Sequence, residues 1–141
     1  MISDSVAQTE AIAAALADTL RGGECLALHG DLGAGKTQFV RGLVAGLGGN
    51  ARSVSSPTFV LLNIYESGRL KVFHLDAYRV SGADDFESIG FTELLDQRGV
   101  VVVEWADRVT ALLPPDVIHV TIRTTDEHHR EIEILDPRAP L

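Results

Sequence analysis

Gly30-Asp31-Leu32-Gly33-Ala34-Gly35-Lys36-Thr37 matches G-x-x-x-x-G-K-[ST] at every defined position, and no other stretch constrains the chain as much. Glycines let the backbone curl so that successive N–H groups meet phosphate oxygens. A helix beginning there adds its unsatisfied N–H groups and its dipole, both favouring an anion. Lys36 brings a positive charge to the outer phosphates, and the Thr37 hydroxyl can ligate Mg²⁺. The alternative is a glycine-rich turn that matches by accident, and the flanks argue against it. Cys25-Leu26-Ala27-Leu28 reads as a buried strand before the loop, while Phe39, Leu43, Leu47 and Val40, Val44 recur at helical spacing after it. The stretch Glu24 to Leu47 is therefore expected to form a strand, a phosphate loop and a helix.

With 141 residues, 45% hydrophobic and 23% charged, the chain is expected to form one globular domain spanning 1–141. Cys25 is the single cysteine, cannot form an internal disulfide and reads as a packed strand residue. No signal peptide, membrane span or lipidation motif is recognisable, so a cytoplasmic protein is expected. The net charge of −8 opposes nucleic-acid binding unless a basic stripe exists. Lys36 and Lys71 are the only lysines and the arginines are scattered, so direct nucleic-acid binding is not expected. A role in nucleic-acid chemistry would pass through a protein partner.

Along the chain, Ser5 to Arg21 reads as a helix capped by Asp4 or Ser5 and ended by Gly22-Gly23. Ala51 to Thr58 is a serine-rich loop, read as a plain connection or as a nucleotide-sensing segment with hydroxyls around Pro57. Phe59 to Tyr65 and Leu70 to Leu75 read as a hairpin, which implies a mixed sheet. Asp76 to Arg98 is acidic and broken, with short helices expected near Asp84–Ser88 and Thr92–Asp96. Val100-Val101-Val102-Val103-Glu104 reads as a central strand buried on both faces. A helical turn leads to Pro114-Pro115, and Val117 to Arg123 with Arg130 to Leu135 form a second hairpin around Thr124–His128. The tail Asp136 to Leu141 is expected on the surface.

In open α/β sheets ligands sit beyond the carboxyl ends of the strands. Glu104 ends one strand, where phosphate-loop proteins hold an acidic residue near Mg²⁺ or the attacking water; the plain alternative is a solvated strand end. Asp76 ends another and is either a second carboxylate on metal-bound water or a turn aspartate. His74 has no partner spacing for a metal site and reads as packed or hydrogen-bonded. Arg130 shares a face with Ile132 and Ile134 at period two, so it must pair with a carboxylate or reach a base or phosphate. Trp105 and Tyr78 stack on a base or pack.

Four motifs in order carry a resemblance: Gly30–Thr37, Ser56-Pro57-Thr58-Phe59, His74-Leu75-Asp76-Ala77-Tyr78-Arg79 and Glu104-Trp105. Together they resemble the TsaE (YjeE) family of bacterial P-loop ATPases over essentially the whole chain. The resemblance implies an α/β P-loop NTPase three-layer sandwich with a central mixed, mostly parallel sheet. It implies a slow Mg²⁺-dependent ATPase needed for the threonylcarbamoyladenosine modification of tRNA, working with the TsaB–TsaD pair, with ATP and Mg²⁺ as cofactors. By the same resemblance Asp31, Leu32, Gly33, Ala34, Gly35, Lys36 and Thr37 wrap the phosphates, and Thr37, Glu104 and Asp76 serve the metal. Glu104, Asp76 and Lys36 are then the catalytic set. Thr58 belongs to a switch-like loop, Arg130 lies near the nucleotide, and residues near Ser5 and Thr9 approach the base. Asp107 stands where members often carry glutamate, and no nucleotide role is carried to it. Two further readings stay open: a nucleotide-controlled binding module with incidental hydrolysis, and a small-molecule kinase, though no arginine-rich lid segment is evident. No N-K-x-D motif supports a GTPase.

Overall fold

The computed structural model describes residues 1–31, 35–55, 62–77 and 90–138. Leu32, Gly33, Ala34, Thr58, Tyr78, Arg79 and the helix expected at Asp84–Ser88 lie outside the described residues. The elements are β1 (Ile2–Ser3), α1 (Val6–Ala17), β2 (Cys25–His29), α2 (Lys36–Gly46), β3 (Leu62–Tyr65), β4 (Val72–Asp76), α3 (Phe91–Leu95), β5 (Val100–Glu104), β6 (Ile118–Thr124) and β7 (Arg130–Leu135). Short 3₁₀ turns occupy Ala51–Ser53 and Ala106–Leu112.

The seven strands form one sheet in the order β1-β7-β6-β2-β5-β4-β3. Its four central strands, β6, β2, β5 and β4, are mutually parallel. The hairpins β3–β4 and β6–β7 make the edges antiparallel, and β1 adds an antiparallel strand outside β7. This is the mixed α/β sheet that the two hairpin patterns require, with the valine strand β5 in the interior and every residue buried.

Alternation along the strands sorts the core into two layers. Leu26, Leu28, Val100, Val102, Ile118, Val120 and Ile132 face α1 and α2. Cys25, Ala27, Phe73, Leu75, Val101 and Val103 face Phe91 and Leu94 of α3 and Val109 of the second 3₁₀ turn. Helices thus cover both faces of the sheet. Burial pushes the Cys25 thiol up to about 12, with the Asp116 carboxylate adding to the effect, so this cysteine is a packing residue.

Helix α1 is capped at Ser5, whose hydroxyl accepts from the Gln8 N–H at 3.0 Å. It ends at Ala17, before the expected Arg21: the Thr19 and Leu20 N–H groups donate three residues back to Leu16 and Ala17, and the Arg69 guanidinium caps the carbonyls of Ala17 and Leu20 at 2.8 and 2.9 Å. Helix α2 packs closely on α1. A Cβ on Gly42 would lie 2.3 Å from the Glu10 carbonyl oxygen, so only glycine allows this approach. Strand β4 starts at Val72, two residues after the expected Leu70, since Arg69 is still in a turn whose N–H donates to the Leu47 carbonyl at 2.8 Å. Strand β1 was not expected at all: two residues carry no periodicity, and only pairing with β7 defines them.

Candidate functional site

The site assembles where β2, β4 and β5 end and α2 begins. Gly35 has φ +108, a left-handed conformation open to glycine, and it turns the chain into α2. Asp31 is exposed in the loop before it. Lys36 is the first residue of α2 and Thr37 the second, so both project from the helix N-terminus. Lys36 is nevertheless buried, with 7% of its surface exposed, which demands partners for its ammonium.

Two partners meet it. Glu104, itself buried at the end of β5, places Oε1 3.7 Å from Lys36 Nζ. Trp105 follows with φ +58, uncommon for a bulky residue, and its ring centroid lies 4.4 Å from the same ammonium. The ring therefore meets the phosphate-loop lysine, which neither sequence alternative for Trp105 included.

Asp76 is the register partner of Glu104 on the adjacent parallel strand, and it too is buried. Register partners project to the same face, so the two carboxylates stand side by side at the carboxyl edge of the sheet. His74, two residues before Asp76, is on that face as well. Its Nε2 lies 2.5 Å from Glu104 Oε2, and its Nδ1 lies 3.0 Å from the Tyr65 hydroxyl. His74 is thus hydrogen-bonded and fully buried, as the absence of metal-ligand spacing implied.

A cavity of about 240 Å³ opens beside Gly35. Asp4, Ser5 and Thr9 line one wall, Gln38 another, and Glu127, His128 and Arg130 the third. The cavity brings Thr9 and Arg130 together beside Gly35, although one lies on α1 and the other on β7. Arg130 shares the face of buried Ile132, and its Nη1 donates to the carbonyls of Asp126 and His129 at 3.2 and 3.1 Å. The Thr9 hydroxyl is engaged by Ser3 Oγ at 2.7 Å, so Thr9 shapes the wall with its hydrogen bond already made. His128, in the turn of the second hairpin, lines the same cavity.

Sequence reasoning did not single out His29 and His119. They stack with centroids 5.3 Å apart, and His29 Nε2 lies 3.0 Å from His119 Nδ1 directly before the loop. Burial first, then the neighbouring His119, holds the His29 pKa below its usual value, with Lys36 adding to the effect and Asp107 opposing it. Tyr65 was also missed as a site residue. The signal for it was weak: a tyrosine at a strand end diagonal to His74 in a hairpin whose register is not readable.

The donor set suits a magnesium-bound nucleoside triphosphate: a helix N-terminus with a left-handed glycine, a lysine, a hydroxyl and two adjacent carboxylates. Residues 3–132 match the family described as Threonylcarbamoyl adenosine biosynthesis protein TsaE. The chain belongs to the TsaE family. It is 40% identical over 125 residues to the tRNA threonylcarbamoyladenosine biosynthesis protein TsaE of Bacillus subtilis, covering 89% of this chain and 77% of the relative. The protein of the same description from Treponema pallidum is 42% identical over 115 residues, covering 82% of this chain and 84% of its own. That from Aquifex aeolicus is 39% identical over 135 residues, covering 95% and 93%. A crystal structure of Bacillus subtilis YdiB superposes with a TM-score of 0.79 at 32% identity, covering 96% of this chain and 83% of that one. The α/β architecture of the TsaE family is therefore the architecture here. Among the described residues no helix is long and apolar enough to cross a membrane.

Proposed function

We propose that this TsaE family member binds ATP with Mg²⁺ and hydrolyses it slowly in the service of tRNA threonylcarbamoyladenosine biosynthesis. The relatives' shared description supports the pathway. The observation that carries the chemistry is the register pairing of Asp76 with Glu104 beside buried Lys36. A lysine and two carboxylates at one sheet edge, facing a helix N-terminus, are the parts that phosphoryl transfer to water requires.

In this reading Lys36 leaves Glu104 for the phosphates and neutralises charge that develops on the transferred group. Thr37, Asp76 and Glu104 are the residues that would hold the metal. Mg²⁺, when bound, neutralises phosphate charge and orients the outer phosphates. Glu104 orients the attacking water and accepts its proton. Trp105 shields the lysine from solvent, and the cavity between Thr9, Gln38 and Arg130 takes the adenosine end of the nucleotide. The engagement of Glu104 by both Lys36 and His74 before nucleotide binds supports a slow turnover.

The net charge of −8 fits a protein that acts on tRNA through partners, here the TsaB–TsaD pair in the cytoplasm, without gripping the RNA itself. The test is ATP turnover by the purified chain with and without TsaB–TsaD, together with co-purification in ATP and in ADP. The expected result is binding of Mg²⁺–ATP and turnover that rises with the partners. Absence of nucleotide binding overturns the reading. A second reading, a nucleotide-controlled binding module, is favoured by the pre-engaged state of Glu104. Glu104→Ala separates the two: full support of repeated modification by that variant makes hydrolysis dispensable.

A further inference from the structure

A buried hydrogen-bond chain leaves the candidate site in a direction that nucleotide binding does not require. Glu104 divides its two oxygens, Oε1 toward Lys36 and Oε2 toward His74. From His74 the chain continues through Nδ1 to the Tyr65 hydroxyl at 3.0 Å. The Tyr65 oxygen lies 3.1 Å from the Ser55 carbonyl oxygen and 3.4 Å from the Ser55 nitrogen. One β-strand residue (Glu104), a second (His74) and a third (Tyr65) thus connect β5, β4 and β3 in turn. The chain ends on the backbone immediately before Ser56-Pro57-Thr58. Beside it, Arg41 Nη2 of α2 donates to the Val54 carbonyl at 3.4 Å.

Burial gives this chain mechanical consequence. His74 is fully buried, and Tyr65 and Glu104 are each 5% exposed, so water has little access to replace a lost partner. An unmade bond to a buried polar group costs its desolvation in full, more when one member is charged. An ionised Glu104 accepts only, so His74 Nε2 carries the proton toward it. The single Tyr65 proton has two acceptors within reach, His74 Nδ1 at 3.0 Å and the Ser55 carbonyl oxygen at 3.1 Å. Whichever it serves, the Tyr65 oxygen also faces the Ser55 N–H at 3.4 Å, so both backbone groups of Ser55 meet this hydroxyl. The contacts run unbroken from the carboxylate to the Ser55 backbone.

The division of Glu104 also matters in time. Lys36 is needed by phosphate in the proposed function, and when it turns away His74 is what still holds the carboxylate. We infer that His74 and Tyr65 are positioning residues that hold Glu104 and tie its orientation to the backbone at Ser55, so that Ser55 and the carboxylate are set together. The catalytic half of this inference rests on the ATPase reading; the structural coupling does not.

The two halves of the histidine can be replaced separately. His74→Gln places an amide near the Nε2 position, keeping a donor for Glu104 while losing Tyr65; His74→Asn places one near Nδ1 and loses Glu104. Both variants and Tyr65→Phe are made in the full chain and measured for thermal stability, ATP affinity, KM and kcat. Expected is about a tenfold fall in kcat for His74→Asn with KM within about twofold, and partial recovery in His74→Gln. Equal kcat loss in the two histidine variants, or KM and kcat changing together in step with stability, overturns the positioning role. The second readout is the Ser55 amide resonance by ¹⁵N–¹H NMR without nucleotide. It is expected to shift in Glu104→Ala, His74→Asn and Tyr65→Phe; an unmoved Ser55 in Glu104→Ala overturns the coupling. If the wild-type chain hydrolyses no ATP, the ATPase reading falls, and the Ser55 resonance still decides the coupling.

Discussion

Lys36 Nζ and Glu104 Oε1 stand 3.7 Å apart with both side chains almost entirely buried, so each is a counter-charge for the other. Breaking such a pair from one side leaves an unpaired buried charge, which costs about 3–5 kcal/mol, whereas removing both charges costs much less. Lys36→Met and Glu104→Gln should therefore each lower stability, and the double variant should be more stable than the sum of the two losses implies. A urea-unfolding double-mutant cycle measures this. Strict additivity would show that the two charges do not interact.

Glu104→Gln should separate binding from turnover. The amide keeps the size of the carboxylate and cannot take a proton from water, so hydrolysis should fall by about a hundredfold or more. ATP affinity should change far less than turnover, because Lys36 and the loop remain for the phosphates, and Thr37 and Asp76 for the metal. Calorimetric binding and phosphate release, run on the same sample, check both halves.

Arg130 and the phosphate loop contact different ends of the ligand in the proposed site. Arg130→Ala should weaken ATP by about tenfold and leave inorganic triphosphate affinity nearly unchanged. Competition binding with both ligands decides it. An equal loss for both would place Arg130 on the phosphates.

Gly42 tests the packing of α2 on α1. A Cβ there meets the Glu10 carbonyl oxygen at 2.3 Å, so Gly42→Ala must push the helices apart, at about 1–3 kcal/mol or more. Gly48 has φ +84 but open space around it, so Gly48→Ala should cost only backbone strain, about 1–2 kcal/mol. Comparing the two urea midpoints separates clash from strain.

His29 makes stability depend on pH. Its folded pKa is lowered by burial and by His119, so the unfolded chain binds the proton more readily. The resulting stabilisation is fully present above the unfolded value near 6.5 and declines as pH falls below it toward the folded pKa. The wild type should lose more melting temperature between pH 8 and pH 5.5 than His29→Gln does. Matching losses would remove His29 as the source.

The parts of this protein that were legible in its sequence are those whose signal is local. Glu24 to Leu47 reads as strand, loop and helix because glycine spacing and the i, i+4 apolar pattern lie within one short window. Val100 to Glu104 reads as a buried strand because four β-branched residues in a row leave no polar face, and its bounds match those observed. The alternation of Arg130, Ile132 and Ile134 similarly placed Arg130 on the inner face before any neighbour was known.

What the tertiary structure decided is which distant residues share a volume. Strand β5 lies between β2 and β4, and that order brings Glu104 to Lys36 and Asp76 to Glu104, because parallel neighbours in register present their carboxyl ends together. The same order runs the bonds of Glu104 outward through His74 and Tyr65 to Ser55. No window of sequence contains those contacts, since register between strands is set by turns and burial across the whole sheet. Composition and spacing therefore determined an α/β protein with a glycine-rich loop between strand and helix and two acidic strand ends. Pairing order alone turned them into one buried site, because in a low-dielectric interior a charge takes its meaning from what lies within a few ångströms.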